Sequence, residues 1–201
     1  MISSKIGHSL DPAILAVYRF FFRDRTIDPN VLTLCGTFFG FLSAFSTACG
    51  FLIPGGTALL LAGFFDLLDG AVARHADRVS SFGGFLDSVL DRYSDLAVML
   101  GIFIFFLNGG ERTYAAATFI AAIGIAIIPY ARARAEAASI SCTTGLMERP
   151  ERILLLLIGL FFNILQYVVI ILAVLSHITV IQRIMYVKRK ILQERNTSTK
   201  S

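Results

Sequence analysis

Long apolar stretches separated by short polar turns dominate the hydrophobic pattern of the chain. They cover about 31–53, 57–73, 82–107, 114–138 and 153–175. A helix needs about 20 predominantly apolar residues to cross the hydrocarbon core of a bilayer. The pattern therefore predicts an all-α integral membrane protein that crosses the lipid bilayer several times.

Turn signals and charge predict the number of crossings. Pro54-Gly55-Gly56 and Asn108-Gly109-Gly110 are expected to be tight turns, and Asn163 divides the last apolar run into spans of about 150–162 and 165–187. Lys and Arg favour the cytoplasmic side of a membrane, and both the stretch before this run and the tail are basic. An even number of crossings must separate them, which favours six transmembrane helices with both termini in the cytoplasm. One long span over the last run is the alternative.

The first 28 residues are predicted to form an interfacial amphipathic helix. Asp11-Pro12 is a helix-start signal. Apolar side chains then share one helix face while Arg19 and Arg23 lie opposite, which suits an anionic membrane surface. The cytoplasmic end of a longer packed helix is the alternative. We therefore expect an interfacial segment over 1–28 and a six-helix transmembrane domain over 29–201.

Composition adds limits to this picture. The chain has 201 residues with 56% hydrophobic side chains and a formal net charge of +4. Its three cysteines show neither a zinc-binding spacing nor the even count of a disulfide framework. We expect no nucleic-acid partner.

Four carboxylates lie inside the apolar part of the chain. Charged groups at membrane depth are costly, so they are rare there and usually functional. Asp66 and Asp69 share one helix face, and Asp87 and Asp91 share a face of the next helix. Clustered carboxylates repel one another unless cations hold them, and an all-oxygen set suits Mg²⁺, Mn²⁺ or Ca²⁺ rather than zinc. Such a set can hold two ions roughly 4 Å apart, an arrangement used for displacement at phosphorus.

The pattern D-x2-D-G-x2-A-R-x8-G-x3-D-x3-D resembles the signature of the CDP-alcohol phosphotransferases. All eight fixed positions are matched, by Asp66, Asp69, Gly70, Ala73, Arg74, Gly83, Asp87 and Asp91. Eight fixed residues recur by chance on the order of once in 10⁹ start positions. The resemblance implies a membrane enzyme that moves a phosphoalcohol group from a CDP-activated lipid to a second alcohol.

The same resemblance implies a role for individual residues. The metal ligands, for two Mg²⁺ or Mn²⁺ ions, would be Asp66, Asp69, Asp87 and Asp91. Asp91 would also accept the proton of the acceptor hydroxyl, as the catalytic residue. The residues expected to bind the CDP-lipid are Asn30, Thr33, Asp66, Gly70, Ala73, Arg74, Ser80 and Gly83. The implied reaction is displacement at the β-phosphorus of CDP-diacylglycerol, which releases CMP.

A basic stretch indicates the acceptor. It resembles the region between the fourth and fifth helices of phosphatidylinositol phosphate and archaetidylinositol phosphate synthases. The residues expected to bind the acceptor phosphate are Arg132, Arg134, Arg149 and Arg152, because arginines beside a metal site form a phosphate clamp. The best match is inositol phosphate. The segment Ser139–Thr144 departs from the glycine-rich pattern of actinobacterial members, which leaves glycerol 3-phosphate, and hence a phosphatidylglycerol phosphate synthase, as the alternative.

Other interpretations remain at this stage. The arginines can instead pair with nearby glutamates. Intramembrane carboxylates also line ion paths, so a divalent-cation transporter is the alternative of another class. Against it, the carboxylates cluster at one membrane face, and Arg74 would repel a cation. The resemblance also implies a homodimer, and the charge-based topology predicts a cell-membrane protein with its active site at the cytoplasmic face.

Overall fold

The computed structural model describes residues 28–75 and 80–198, with side chains described over 28–74 and 80–193. The predicted interfacial helix over 1–28 lies outside these residues except for Asp28. The described chain forms six α-helices and no strand. They are α1 (Pro29–Ala48), α2 (Leu52–His75), α3 (Ser81–Asn108), α4 (Arg112–Ala137), α5 (Arg149–Phe161) and α6 (Leu165–Ser198).

Side-chain caps fix the starts of α1 and α3. The Asp28 carboxylate accepts a hydrogen bond from the Asn30 amide at 2.9 Å, and Pro29 occupies the first turn. Ser80 caps α3 by accepting from the Gly83 amide, also at 2.9 Å. Such caps satisfy amides that have no partner inside the helix. They therefore fix the backbone at two positions predicted to bind the CDP-lipid, Asn30 and Gly83.

The turn predicted at Pro54-Gly55-Gly56 is wrong, because these residues lie inside α2. The chain turns earlier, at Gly50, whose φ of 86° favours glycine. Proline is tolerated in the first turn of a helix because its missing N–H would have no helical partner there. The two glycines serve packing instead: a Cβ on Gly55 would lie 2.4 Å from Thr47 Oγ1 of α1.

The other two predicted turns are confirmed. Gly110 has a φ of 74° between α3 and α4, and Asn163 has a φ of 54° between α5 and α6. The last apolar run is therefore two helices rather than one.

Small residues allow the helices to approach closely. A Cβ on Gly40 of α1 would lie 1.9 Å from Ser94 Oγ of α3, and one on Gly124 of α4 would lie 2.1 Å from Ser176 Oγ of α6. Close backbone approach through small residues is typical of helices in membranes. The core between α3, α4 and α6 includes the fully buried Ile102 and Leu172.

Four of the helices, α1, α2, α4 and α6, are long and apolar enough to cross a membrane. Many of their large apolar side chains face outward, including Phe38 and Phe45 on α1. α3 has 28 residues, but the charged side chains of the site lie in its first half. α5 has 13 residues, or about 20 Å of helix, which is less than the roughly 30 Å hydrocarbon core. The all-α prediction is confirmed, and six crossings stay a prediction.

Candidate active site

Three of the predicted metal ligands meet where α2 and α3 face each other. Asp66, Asp69 and Asp87 each offer a carboxylate oxygen, and these oxygens lie within 4.8 Å of one another. Within the described residues, the buried Asp87 Oδ1 has no hydrogen-bond partner. An all-oxygen set of mutually repelling carboxylates with an unpaired buried oxygen fits a hard divalent cation.

Thr33 orients one of these carboxylates from the first helix. Its hydroxyl donates to Asp69 Oδ2 at 2.7 Å and lies 3.1 Å from the Pro29 carbonyl oxygen one turn earlier. Asp69 is only 8% exposed, so a lost hydrogen bond here would not be replaced by water. The base of α1 is thus joined directly to the carboxylate cluster.

The fourth predicted ligand, Asp91, contacts an arginine. Its Oδ1 lies 2.7 Å from Arg149 Nη2, and the same guanidinium donates to Asp66 through Nη1. Arg149 Nε lies 3.5 Å from Asp95 Oδ1, while Arg152 Nη2 lies 2.9 Å from Asp95 Oδ2. The start of α5 is therefore held against the carboxylates of α2 and α3.

A cavity of about 380 Å³, here called the signature cavity, lies on one side of the cluster. It is lined by Asp28, Pro29, Asn30, Thr33, Asp69, Gly70, Ala73, Arg74, Ser80, Gly83, Gly84 and Asp87. Seven of the eight residues predicted to bind the CDP-lipid are in this lining. Asp66 is the exception, because its side chain is directed toward Arg149.

Small residues keep the signature cavity open. A Cβ on Gly83 would lie 3.2 Å from Asn30 Oδ1, and a Cβ on Gly70 would lie 3.1 Å from Arg74 Nη1. The Arg74 guanidinium thus lies over Gly70, one helical turn earlier. A cation beside a bare stretch of helix backbone suits an anionic ligand such as a diphosphate.

A larger cavity of about 670 Å³, here called the arginine cavity, lies beside α4, α5 and α6. Its lining includes five arginines, Arg92, Arg132, Arg149, Arg152 and Arg183, together with Glu136 and Glu148. Arg132 pairs with Glu136 at 2.8 Å on the open side.

Arg134 does not line the arginine cavity, so its predicted role has no support in the geometry. Arg134 is exposed and follows Arg132 by two residues on α4. Residues two apart point to different sides of a helix. A role for Arg134 in binding the acceptor phosphate therefore stays a prediction.

Arg92, Arg183 and Asp95 were absent from the predicted site. Arg183 is 3% exposed and donates to the Thr144 carbonyl at 2.9 Å and to the Ile128 carbonyl at 2.5 Å. In the sequence analysis this arginine counts only as part of the basic tail. A charge inside an otherwise apolar helix was the available signal.

Known proteins share this sequence and fold. The model of the CDP-alcohol phosphatidyltransferase family matches residues 26–184. The archaetidylinositol phosphate synthase of Pyrococcus horikoshii is 39% identical over 166 residues, which cover 82% of this chain and 86% of that protein.

Two crystal structures of the Mycobacterium tuberculosis phosphatidylinositol phosphate synthase are similar. One has CDP-DAG bound (TM-score 0.75, 32% identity, 88% of this chain, 92% of that chain). The other is a complex with manganese and citrate (TM-score 0.75, 32% identity, 88% of this chain, 87% of that chain). Sequence and fold agree, and the chain belongs to the CDP-alcohol phosphatidyltransferase family.

Proposed function

We propose that this chain transfers the phosphatidyl group of CDP-diacylglycerol to the hydroxyl of a phosphorylated alcohol, with inositol phosphate as the best candidate, and releases CMP. One observation carries the proposal: the carboxylates line one cavity and contact, through Arg149, the wall of the other. Asp69 and Asp87 line the signature cavity, while Asp66 and Asp91 contact Arg149, which lines the arginine cavity. A CDP-lipid and an acceptor phosphate can therefore meet at the same carboxylates.

The carboxylate cluster would hold the metal ions. Asp66, Asp69 and Asp87 would be the primary ligands, with Asp91 as an additional one, and the set would suit two Mg²⁺ or Mn²⁺ ions. The relative crystallised with manganese supports a divalent ion of this kind. When bound, the ions would neutralise negative charge that develops on the phosphate oxygens as the bond to CMP breaks.

The protein's own residues orient the two substrates. Arg74 holds the diphosphate of the CDP-lipid across Gly70, and Thr33 keeps Asp69 in place. Asp91 accepts the proton of the acceptor hydroxyl as this oxygen attacks the β-phosphorus. The ion pair between Asp91 and Arg149 places that proton acceptor next to the wall of the arginine cavity.

The acceptor is proposed from the charge of the arginine cavity. Arg149 and Arg152 are nearly enclosed, and Arg132 lies at the open side. Guanidinium groups bind phosphate by paired hydrogen bonds. Five arginines and only two glutamates line the arginine cavity, and this excess of positive charge suits a phosphorylated acceptor better than an uncharged one. Relatives named archaetidylinositol phosphate synthase and phosphatidylinositol phosphate synthase support inositol phosphate. Glycerol 3-phosphate also carries a phosphate and is the competing acceptor.

We further propose how the chain lies in the membrane. The chain would cross the cell membrane six times, through the four apolar helices together with α3 and the short α5. Both termini and the carboxylate cluster would then lie at the cytoplasmic face. Residues 29–201 would form one catalytic domain, preceded by the interfacial segment over 1–28. The domain would work as a homodimer.

The test is CMP release by the purified enzyme supplied with CDP-diacylglycerol and Mg²⁺. We expect release with inositol phosphate and little with inositol or serine at the same concentration. Release with glycerol 3-phosphate alone would keep the reaction and change the acceptor. No release with any acceptor, together with Mn²⁺ flux into liposomes that depends on Asp69, would replace the proposal with a cation transporter.

A further inference from the structure

Asp95 is a fifth carboxylate near the site, and it lies outside the family signature. It follows Asp91 by one helical turn on α3 and lines neither the signature cavity nor the arginine cavity. Its oxygens face two arginines of α5: Oδ2 lies 2.9 Å from Arg152 Nη2, and Oδ1 lies 3.5 Å from Arg149 Nε. Asp95 therefore contacts the arginine cavity only through other side chains.

The surroundings of Asp95 make this contact costly to break. The residues that line the small space around it include Ala62 and Gly63 of α2, Val98 of α3, and Leu156 of α5. The Asp95 side chain is 14% exposed and that of Arg152 only 4%. When one partner of a nearly buried ion pair is removed, the other is left as an uncompensated charge.

Arg152 lies between Asp95 and the arginine cavity. It lines both the cavity and the small space that encloses Asp95. Among the described residues, Asp95 is the only acidic side chain within ion-pair distance of Arg152. The rotamer that presents Arg152 to the cavity is therefore fixed by Asp95.

Asp95 is distinct from the metal-binding carboxylates. The group suited to a cation comprises Asp66, Asp69 and Asp87. Both oxygens of Asp95 instead lie near guanidinium nitrogens. A substitution at Asp95 should consequently affect the arginines before it affects metal binding.

We infer that Asp95 is a positioning residue for the acceptor, which holds Arg152, and secondarily Arg149, in the wall of the arginine cavity. This inference rests on the proposed function, since it assigns that wall to the acceptor phosphate. Asp95 does not touch the substrate and takes no part in proton transfer.

The main experiment compares Asp95→Asn with the wild-type enzyme in CMP release. We expect the KM for the phosphorylated acceptor to rise about tenfold or more, because the charged hydrogen bond that holds Arg152 is lost. The KM for CDP-diacylglycerol should stay within about twofold of wild type, the change expected when uniform acceptor binding alone is lost. Asp95→Glu, which restores the charge, should recover part of the acceptor affinity.

One measurement and one control variant separate this role from metal binding and from the general loss of a carboxylate. Retained Mn²⁺ binding also shows that the variant is folded. Mn²⁺ binding, followed by electron paramagnetic resonance, should be the same in Asp95→Asn and wild type. Glu111→Gln removes a carboxylate from the exposed turn before α4, away from both cavities. This control should leave every kinetic constant unchanged.

A mutant cycle with Arg152→Gln tests the pairing itself. If Asp95 acts mainly by holding Arg152, the acceptor KM of the double variant should be within about twofold of that of Arg152→Gln alone, the small remainder reflecting the weaker contact with Arg149. Additive increases in KM would overturn the inference, as would an unchanged acceptor KM in an active Asp95→Asn enzyme or a loss of Mn²⁺ affinity in that variant. Wild-type enzyme without CMP release for any acceptor would instead contradict the proposed function, and the inference would fall with it.

Discussion

The two cavities beside the carboxylate cluster are built in different ways. The signature cavity is formed by α1, α2 and the start of α3, and its lining is mostly small or capping residues. The arginine cavity is formed by α3, α4, α5 and α6, and five guanidinium groups line it. The first suits a ligand that lies against the helix backbone. The second suits a compact anion.

This difference indicates which part of the enzyme binds the CDP-lipid common to the family and which part selects the acceptor. The CDP-lipid is proposed to bind where the family signature lies, and the signature residues are close together in sequence. The acceptor is proposed to bind where residues from distant parts of the chain meet. A change of acceptor would then need changes only in the arginine cavity, with the carboxylates and the signature cavity kept.

The largest effect is expected at Asp91, which is proposed both to bind metal and to accept the proton of the acceptor hydroxyl. Asp91→Asn should lower kcat by about 10²- to 10⁴-fold, because an amide cannot accept the proton of the acceptor hydroxyl. Mn²⁺ binding should persist, since Asp66, Asp69 and Asp87 form a set without it. Turnover near the wild-type rate in this variant would remove Asp91 from the chemistry.

Asp69→Asn should act through the metal instead. Its carboxylate belongs to the cluster and is buried, so we expect Mn²⁺ affinity to fall by more than about tenfold. Metal titration by electron paramagnetic resonance measures this directly. Thr33→Val, which removes the hydroxyl that donates to Asp69, should give a smaller loss in the same assay. Wild-type Mn²⁺ affinity in Asp69→Asn would contradict the assignment of this carboxylate.

Arg74→Gln should change the signature cavity alone. The KM for CDP-diacylglycerol should rise about tenfold or more, because a charged donor to the diphosphate is lost. The acceptor KM should change by less than about twofold. If the acceptor KM rose instead, Arg74 would bind the acceptor rather than the CDP-lipid, and the assignment would be wrong.

The smallest effect separates two neighbouring arginines of α4. Arg132→Gln should raise the acceptor KM by a few-fold, about threefold, since Arg132 lines the arginine cavity but is half exposed and shared with Glu136. Arg134→Gln, its matched control, should leave the acceptor KM unchanged because Arg134 lies outside that lining. Equal effects of the two substitutions would show that the helix face on which an arginine lies does not determine whether it binds the acceptor.

Local signals in the sequence predicted the signature side well. The fixed spacing from Asp66 to Asp91 brings three of the four predicted metal ligands together, and the signature residues Gly70, Ala73 and Arg74 line one cavity. Each of these depends on residues near one another in the chain. The failed turn at Pro54 has the same origin, because proline marks the first turn of a helix as well as a loop.

The arginine side was only partly predictable. Arg149 pairs with Asp66 across 83 residues, and Arg183 reaches the Ile128 carbonyl across 55. No local pattern encodes such pairings, since they depend on how α5 and α6 pack. Asp95 is visible in the sequence as one more carboxylate, but its partner Arg152 lies 57 residues away on another helix.

The most direct test of the two-cavity account is a steady-state measurement of CMP release with both substrates varied, in Arg74→Gln and Arg152→Gln side by side. If each cavity binds one substrate, Arg74→Gln should raise only the KM for CDP-diacylglycerol, and Arg152→Gln should raise only the KM for the phosphorylated acceptor. The account would be contradicted if both substitutions raised the KM of the same substrate.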